Sequence, residues 1–226
     1  MLSPMTTEPG AMSIPSGGAV SVLWQSPVKP RACLVLAHGA GAGMTHRSMA
    51  AVADGLEDRD VATLRYQFSY MERGSRRVDP PVVAHAAVRA AVAEARRRAP
   101  SLPLFAGGRS FGGRMTSQAQ ALDPLEAVRG LVFFAFPLHP AGKPSVERAG
   151  HLGAVGVPML FIQGGRDALA DVALLRATVV SLGDCATLQL IADADHAFHV
   201  PAKTGRTDEQ ILAEALDGAC TWMASR

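Results

Sequence analysis

The chain has 226 residues, 48% of them hydrophobic and 19% charged, which suits one well-packed core and excludes a disordered or fibrous chain. With 22 basic and 20 acidic residues the formal charge is +2, so there is no electrostatic basis for a nucleic-acid partner. No stretch approaches the roughly 18 consecutive apolar residues that cross a bilayer, and no membrane partner is expected.

The opening MLSPMTTEPGAMSIPSGG lacks a basic start followed by an apolar core and does not read as a signal peptide. Residues 1–18 are expected to be a flexible lead, with one domain over 19–226. Strands are predicted at 19–23 and, more strongly, at 32–37 (ACLVLA), closed by His38-Gly39. A helix is predicted over 48–56, where Met49, Val52, Ala53 and Leu56 share one face. A strand at 61–66 leads into a polar loop through Arg77, and the Ala- and Arg-rich stretch 81–98 reads as a helix stopped by Pro100. Then come a strand at 102–106, the glycine-flanked serine of GGRSFGGR, and a helix from about 112 to 122. The second half repeats the rhythm with strands at 131–136, 159–162 and 187–191, and helices at 172–182 and 208–223. Continuous apolar strands alternating with helices predict a mostly parallel sheet covered on both faces.

Cys33, Cys185 and Cys220 are odd in number and widely spaced, with no CxxC pair. Free thiols and a reducing, cytoplasmic setting are therefore expected.

In a parallel α/β sheet, sites form outside the carboxyl ends of the strands. Four stretches leave such ends: HGAGAG at 38–43, the serine stretch, GGRD at 164–167, and DADH at 193–196. Gly108-Arg109-Ser110-Phe111-Gly112 fits G-x-S-x-G between a strand and a helix, the context of a nucleophile elbow. A serine hydroxyl needs a base to take its proton and a third group to orient that base. Asp167 and His196 follow later strands, so the order Ser, Asp, His runs along the chain. The alternatives are a Ser110 that merely caps the next helix, an Asp167 that only forms a turn, and Asp193 or Asp195 in its place. Asp193, Asp195, His196 and His199 have no recognisable metal-ligand spacing, and no metal is expected. The glycines after Leu36 fail G-x-G-x-x-G in either register, and no G-K-[ST] follows, so no nucleotide cofactor is expected.

The segments LVLAHGAGAG, GGRSFGGR, PMLFIQGGRD and ADHAFHV resemble the α/β-hydrolases, in particular the small, nearly lidless kind related to dienelactone hydrolases and short-chain esterases. The phrase FPLHPAGKP is similar to a bacterial branch described mostly as predicted hydrolases. The resemblance covers the chain from about residue 19 onward. It implies an α/β-hydrolase fold, helices on both faces of a central sheet, and little or no cap domain. It implies Ser110 as nucleophile, His196 as base and Asp167 as its orienting acid. The backbone N–H groups of Phe111 and Ala40 become the oxyanion hole. Dienelactone hydrolases proper carry a cysteine nucleophile, so their substrate does not transfer to Ser110.

The expected activity is hydrolysis of a small ester, thioester or other acyl compound through a Ser110 acyl-enzyme, without cofactor, in a monomer or homodimer. A serine peptidase or acyltransferase on the same triad, or a silent hydrolase fold serving as an interaction module, are the alternatives. Arg109, His38, His139 and Lys143 are candidates for substrate binding. Arg109 and Arg114, with the basic residues of the 137–156 loop, would suit an anionic substrate unless they serve as structural bonds across the top of the sheet. His38 is otherwise read as a structural residue holding the oxyanion loop.

Overall fold

The structure is a computed structural model that describes residues 7–15 and 18–226. Eight strands form one sheet: β1 (Thr7–Ile14), β2 (Gly18–Gln25), β3 (Ala32–Ala37), β4 (Val61–Tyr66), β5 (Leu104–Arg109), β6 (Val128–Phe134), β7 (Met159–Gly164) and β8 (Ala186–Ile191). Their spatial order is β1-β2-β4-β3-β5-β6-β7-β8. The first two pairings, β1 with β2 and β2 with β4, are antiparallel, and all others are parallel.

Side-chain alternation along each central strand explains the layers. Cys33, Val35 and Ala37 of β3 join the core beneath α3 (Pro81–Arg98) and α4 (Phe111–Leu122), whereas Ala32, Leu34 and Leu36 face α1 (Arg47–Glu57) and α6 (Asp208–Ala224). Phe133 and Phe161 pack on the first side, and Val132, Phe134 and Ile162 on the second. Both faces are thus apolar, which is why these strands read as continuous rather than alternating runs. Truncating a fully buried member such as Phe133 to alanine costs about 3–5 kcal/mol.

Helix ends follow their local chemistry. Pro81 takes the first position of α3, where no N–H is needed, and α3 stops at Arg98 ahead of Pro100. Thr207 and Gln210 form a reciprocal capping box at the start of α6. Two further helices complete the set: α2 (Ser69–Glu72) and α5 (Val172–Ser181).

Three expectations are corrected. The supposed flexible lead contributes β1, whose residues Thr7 to Ile14 pair with β2 from Gln25 back to Gly18; residues 1–6 and 16–17 of that lead lie outside the described residues. Buried Met12 and Ile14 anchor β1, but its alternation is interrupted by Pro9 and Gly10, which mask a strand signal. The polar loop after β4 contains α2, which buries Tyr70. Finally, β5 does not end at Ala106 but continues through Gly107 and Gly108, which pair with Leu36 and Ala37 on one side and Val132 and Phe133 on the other.

That continuation depends on the missing side chain. A Cβ on Gly107 would stand 1.8 Å from the Val132 carbonyl oxygen, within the sheet itself. We expect Gly107→Ala to lower stability by at least about 3 kcal/mol, a fall in melting temperature of roughly 6–12 °C for a chain this size. Gly153→Ala, where a Cβ meets nothing within 4 Å, is expected to melt with the wild type. Calorimetry on the two variants checks the contrast.

Candidate active site

Ser110 sits at the turn between β5 and α4 with φ +51° and ψ −117°. A positive φ in a non-glycine residue costs about 1–3 kcal/mol and persists only where its surroundings impose it. Here the Ser110 N–H donates to the Phe134 carbonyl (3.0 Å) and the Ser110 carbonyl accepts from the Arg114 N–H (3.1 Å). Gly108 and Gly112 lie against β3 so closely that a Cβ on either would come within 2.6 Å of the Ala37 carbonyl oxygen. The four glycines around Ser110 therefore let the elbow press into its neighbours.

The exits of β7 and β8 meet in the same manner. A Cβ on Gly164 would lie 2.4 Å from the Ala194 carbonyl oxygen, and one on Gly165 would lie 2.2 Å from that of Ala192. The Gly165 and Arg166 N–H groups donate to Ile191 and Ala194. This contact brings Asp167 beneath His196: Nδ1 of the imidazole is 2.7 Å from Asp167 Oδ2, and Nε2 is 2.9 Å from Ser110 Oγ. Because the carboxylate only accepts, the imidazole proton belongs on Nδ1, leaving Nε2 free to accept from the serine. Asp167 is wholly buried and accepts two more hydrogen bonds, from the Leu169 N–H (2.8 Å) and from Gln163 Nε2 (2.5 Å). Three donors offset the cost of burying that charge.

The two competing aspartates stand elsewhere. Asp195 Oδ1 accepts from the Ala197 and His199 N–H groups, closing the turn that carries His196. Asp193 is exposed, and His199 pairs with Asp208. Among the described residues no three His, Cys, Asp or Glu side chains converge as metal ligands. Nor is any helix long and apolar enough to cross a membrane.

Above Ser110, the loop after β3 passes close by: a Cβ on Gly39 would be 3.7 Å from Ser110 Cβ. The fully buried His38 fixes that loop. Its Nδ1 donates to the Gly39 carbonyl (2.7 Å) and its Nε2 accepts from the Phe68 N–H (3.0 Å). Burial pulls its imidazole down to about 4. Tyr70 Oη donates to the Ala40 carbonyl at 2.8 Å, a tie that no sequence motif announced. Among the described residues the N–H groups of Phe111 and Ala40 donate to no protein acceptor.

Of the other candidates for substrate contact, His139 spends both ring nitrogens on the backbone, Nδ1 on the Pro140 carbonyl and Nε2 on the Asp171 N–H. His38 and His139 thus have no ring nitrogen left for a ligand. Arg109 donates to the His196 carbonyl at 3.1 Å and braces the histidine turn. Lys143 is exposed. Gln163 and Tyr70 are the site residues that motif reading missed. Gln163 ends an apolar strand and Tyr70 lies in a segment read as a polar loop, and only the fold shows what they touch.

The fold and this site define the class. The chain belongs to the alpha/beta hydrolase domain family, whose model matches residues 30–224. Among solved structures, it is similar to the dienelactone hydrolase of Anabaena variabilis at 19% identity, covering 99% of each chain with a TM-score of 0.79. It is also similar to an α/β serine hydrolase without lid from Xanthomonas campestris at 22% identity, covering 98% of this chain and 97% of that one, TM-score 0.75. The esterase domain of a Rhodothermus marinus protein matches at 13% identity over 96% of this chain and 98% of that one, TM-score 0.73. At these identities the likeness is one of fold.

Two imidazoles, the buried His38 and the half-buried His151, are expected to make stability pH-dependent. His38 is lowered to about 4 by burial; His151 is lowered to about 4 by burial and by neighbouring Arg114 and His85. Between the ordinary value of 6.5 and about 4, the unfolded chain binds protons that the folded chain does not. Stability therefore rises with pH across this window and is lost on acidification. Chemical denaturation from about pH 7 down to about pH 4.5 should show this loss, with a shallower slope in His151→Gln than in wild type. Superimposable slopes would show that His151 does not contribute.

Proposed function

We propose that the protein is a serine hydrolase acting on a small ester, thioester or other acyl compound through a covalent Ser110 intermediate. The observation that carries this is the continuous hydrogen-bonded relay from Ser110 Oγ through His196 to the buried Asp167. His196 Nε2 takes the serine proton as Oγ bonds to the acyl carbon, and the carbonyl oxygen becomes an oxyanion. The two free N–H groups, Phe111 and Ala40, suit that charge, and one such donor is worth about 2.7–4 kcal/mol in related chemistry. Collapse breaks the bond to the leaving alkoxide or thiolate, which receives the proton from His196. Water then gives a proton to His196 and attacks the acyl carbon, releasing the acid and restoring Ser110.

An open or merely loop-covered site fits the small-substrate assignment, since the segment after β6 is occupied by short 3-10 turns at Glu147–Ala149 and Leu152–Ala154. Three free cysteines, one of them exposed, fit a cytoplasmic setting.

Fluorophosphonate labelling followed by peptide mapping tests the nucleophile. Modification should fall on Ser110 and vanish, with p-nitrophenyl acetate hydrolysis, in Ser110→Ala. An active Ser110→Ala protein would sink the assignment. A wild-type chain that neither labels nor turns over would favour the silent interaction module. Product analysis with added amine or alcohol acceptors separates hydrolase from acyltransferase.

The acid is tested by rank. Asp167→Asn is expected to lose at least about 10³ in kcat, because the imidazole then takes the wrong tautomer. Asp193→Asn and Asp195→Asn are expected to lose less than about tenfold. The reverse order would reassign the acid. Tyr70→Phe, which frees the Ala40 loop without touching the reacting atoms, should lower kcat roughly tenfold with little change in KM. A KM effect alone would place Tyr70 in binding instead.

A further inference from the structure

A second concave surface lies at the opposite pole of the sheet, where β3, β4, β5 and β6 begin. It encloses about 520 Å3 and is lined by the side chains of Arg31, Arg59, Arg129 and Arg226, with no acidic residue among its lining. That volume falls within the range of small-molecule sites, roughly 300–1,000 Å3. Four guanidiniums around one concavity carry more positive charge than the two aspartates beside them, Asp60 and Asp217, neutralise.

The existing counter-charges stand outside the lining. Asp60 pairs with Arg31 at 3.3 Å and Asp217 with Arg59 at 2.7 Å. Arg129 donates only to the main-chain oxygen of Arg226 (3.3 Å), and the Arg226 guanidinium lies 5.5 Å over the Trp222 ring. Neither makes an ion pair with a side-chain carboxylate among the described residues. Guanidinium forks match phosphate and carboxylate oxygens bidentately and are weakly hydrated, so they give up water cheaply to an anion. The floor is different in character: Ala32, Val61 and Met223 are buried apolar residues that also line the cavity.

We propose that this cavity is a binding site, separate from Ser110, for a small multivalent anion of phosphate type that carries a compact apolar portion. Its charges sit among the guanidiniums, and its apolar part rests on the floor. The cavity wall includes Pro103, and Ser110 follows seven residues later at the other end of β5. Extended chain rises about 3.3 Å per residue, so roughly 20 Å separates the two sites. Occupancy here neither needs nor blocks the serine chemistry, and the outcome below is independent of it.

Titration calorimetry with inorganic pyrophosphate and, separately, citrate distinguishes phosphate from polycarboxylate recognition. Pyrophosphate is expected to bind with a dissociation constant below about 1 mM in low salt, weakening as salt screens the charges. The doubly substituted Arg31→Ala, Arg129→Ala protein, whose side chains are exposed and whose melting temperature should hold, is expected to bind at least about tenfold more weakly. Cys220 lines the same cavity and supplies a second readout. Pyrophosphate should slow its alkylation by N-ethylmaleimide in wild type while leaving exposed Cys185 unaffected. No pyrophosphate binding at about 10 mM, binding of citrate alone, or equal binding by the double variant would overturn the proposal. So would unchanged Cys220 alkylation at saturating pyrophosphate.

Discussion

The site depends on backbone meeting backbone where β5 leaves the sheet. Gly107 lies under the Val132 carbonyl, and Gly108 and Gly112 lie against Ala37, at separations that no side chain tolerates. Main-chain atoms are positioned by the sheet's own hydrogen bonds, so an elbow held this way is placed with the precision of the sheet rather than of a loop. The unfavourable φ of Ser110 is one consequence: flanking strands leave the residue no other route from β5 into α4. The glycine-lined contact between the exits of β7 and β8 repeats the device, and it determines which aspartate reaches His196.

Around that frame the polar groups are paired with little redundancy. A carboxylate as deeply buried as Asp167 would be costly unless its lone pairs were met, and Leu169, Gln163 and His196 meet them. His38 and His139 look like catalytic or binding residues in the sequence, yet each acts as a rigid spacer between two stretches of backbone. Arg109 and Asp195 likewise hold the turn that presents His196. Most of the polar residues near Ser110, His196 and Asp167 are thus occupied in holding backbone in place.

The two ends of the sheet are chemically unlike. The carboxyl ends carry one buried carboxylate, Asp167, whose charge is met by three hydrogen-bond donors. The amino ends carry guanidiniums over an apolar floor, suited to charge that is already present. Burial raises the Cys220 thiol there to about 11, so it stays protonated near neutral pH despite the nearby arginines.

Much of this was legible in the sequence because its signals are local. Burial on both faces made continuous apolar runs of β3 and of most of β6 and β7, and helical spacing marked α1, α3 and α6. Ser110, Asp167 and His196 each follow a strand, so their order and placement came from the chain alone. What required the tertiary structure was every property set by residues distant in sequence. The sheet order β4-β3-β5 and β6-β7-β8 decides that Asp167, not Asp193 or Asp195, faces the imidazole. Strand β1 gains its stability from pairing with β2, which its own Pro9 and Gly10 conceal. Gln163 and Tyr70 show no signal because a polar side-chain atom acquires its role only from the partner that folding brings to it. Propensity and periodicity are properties of neighbours along the chain, whereas hydrogen-bond partners, burial and close backbone contact are properties of neighbours in space.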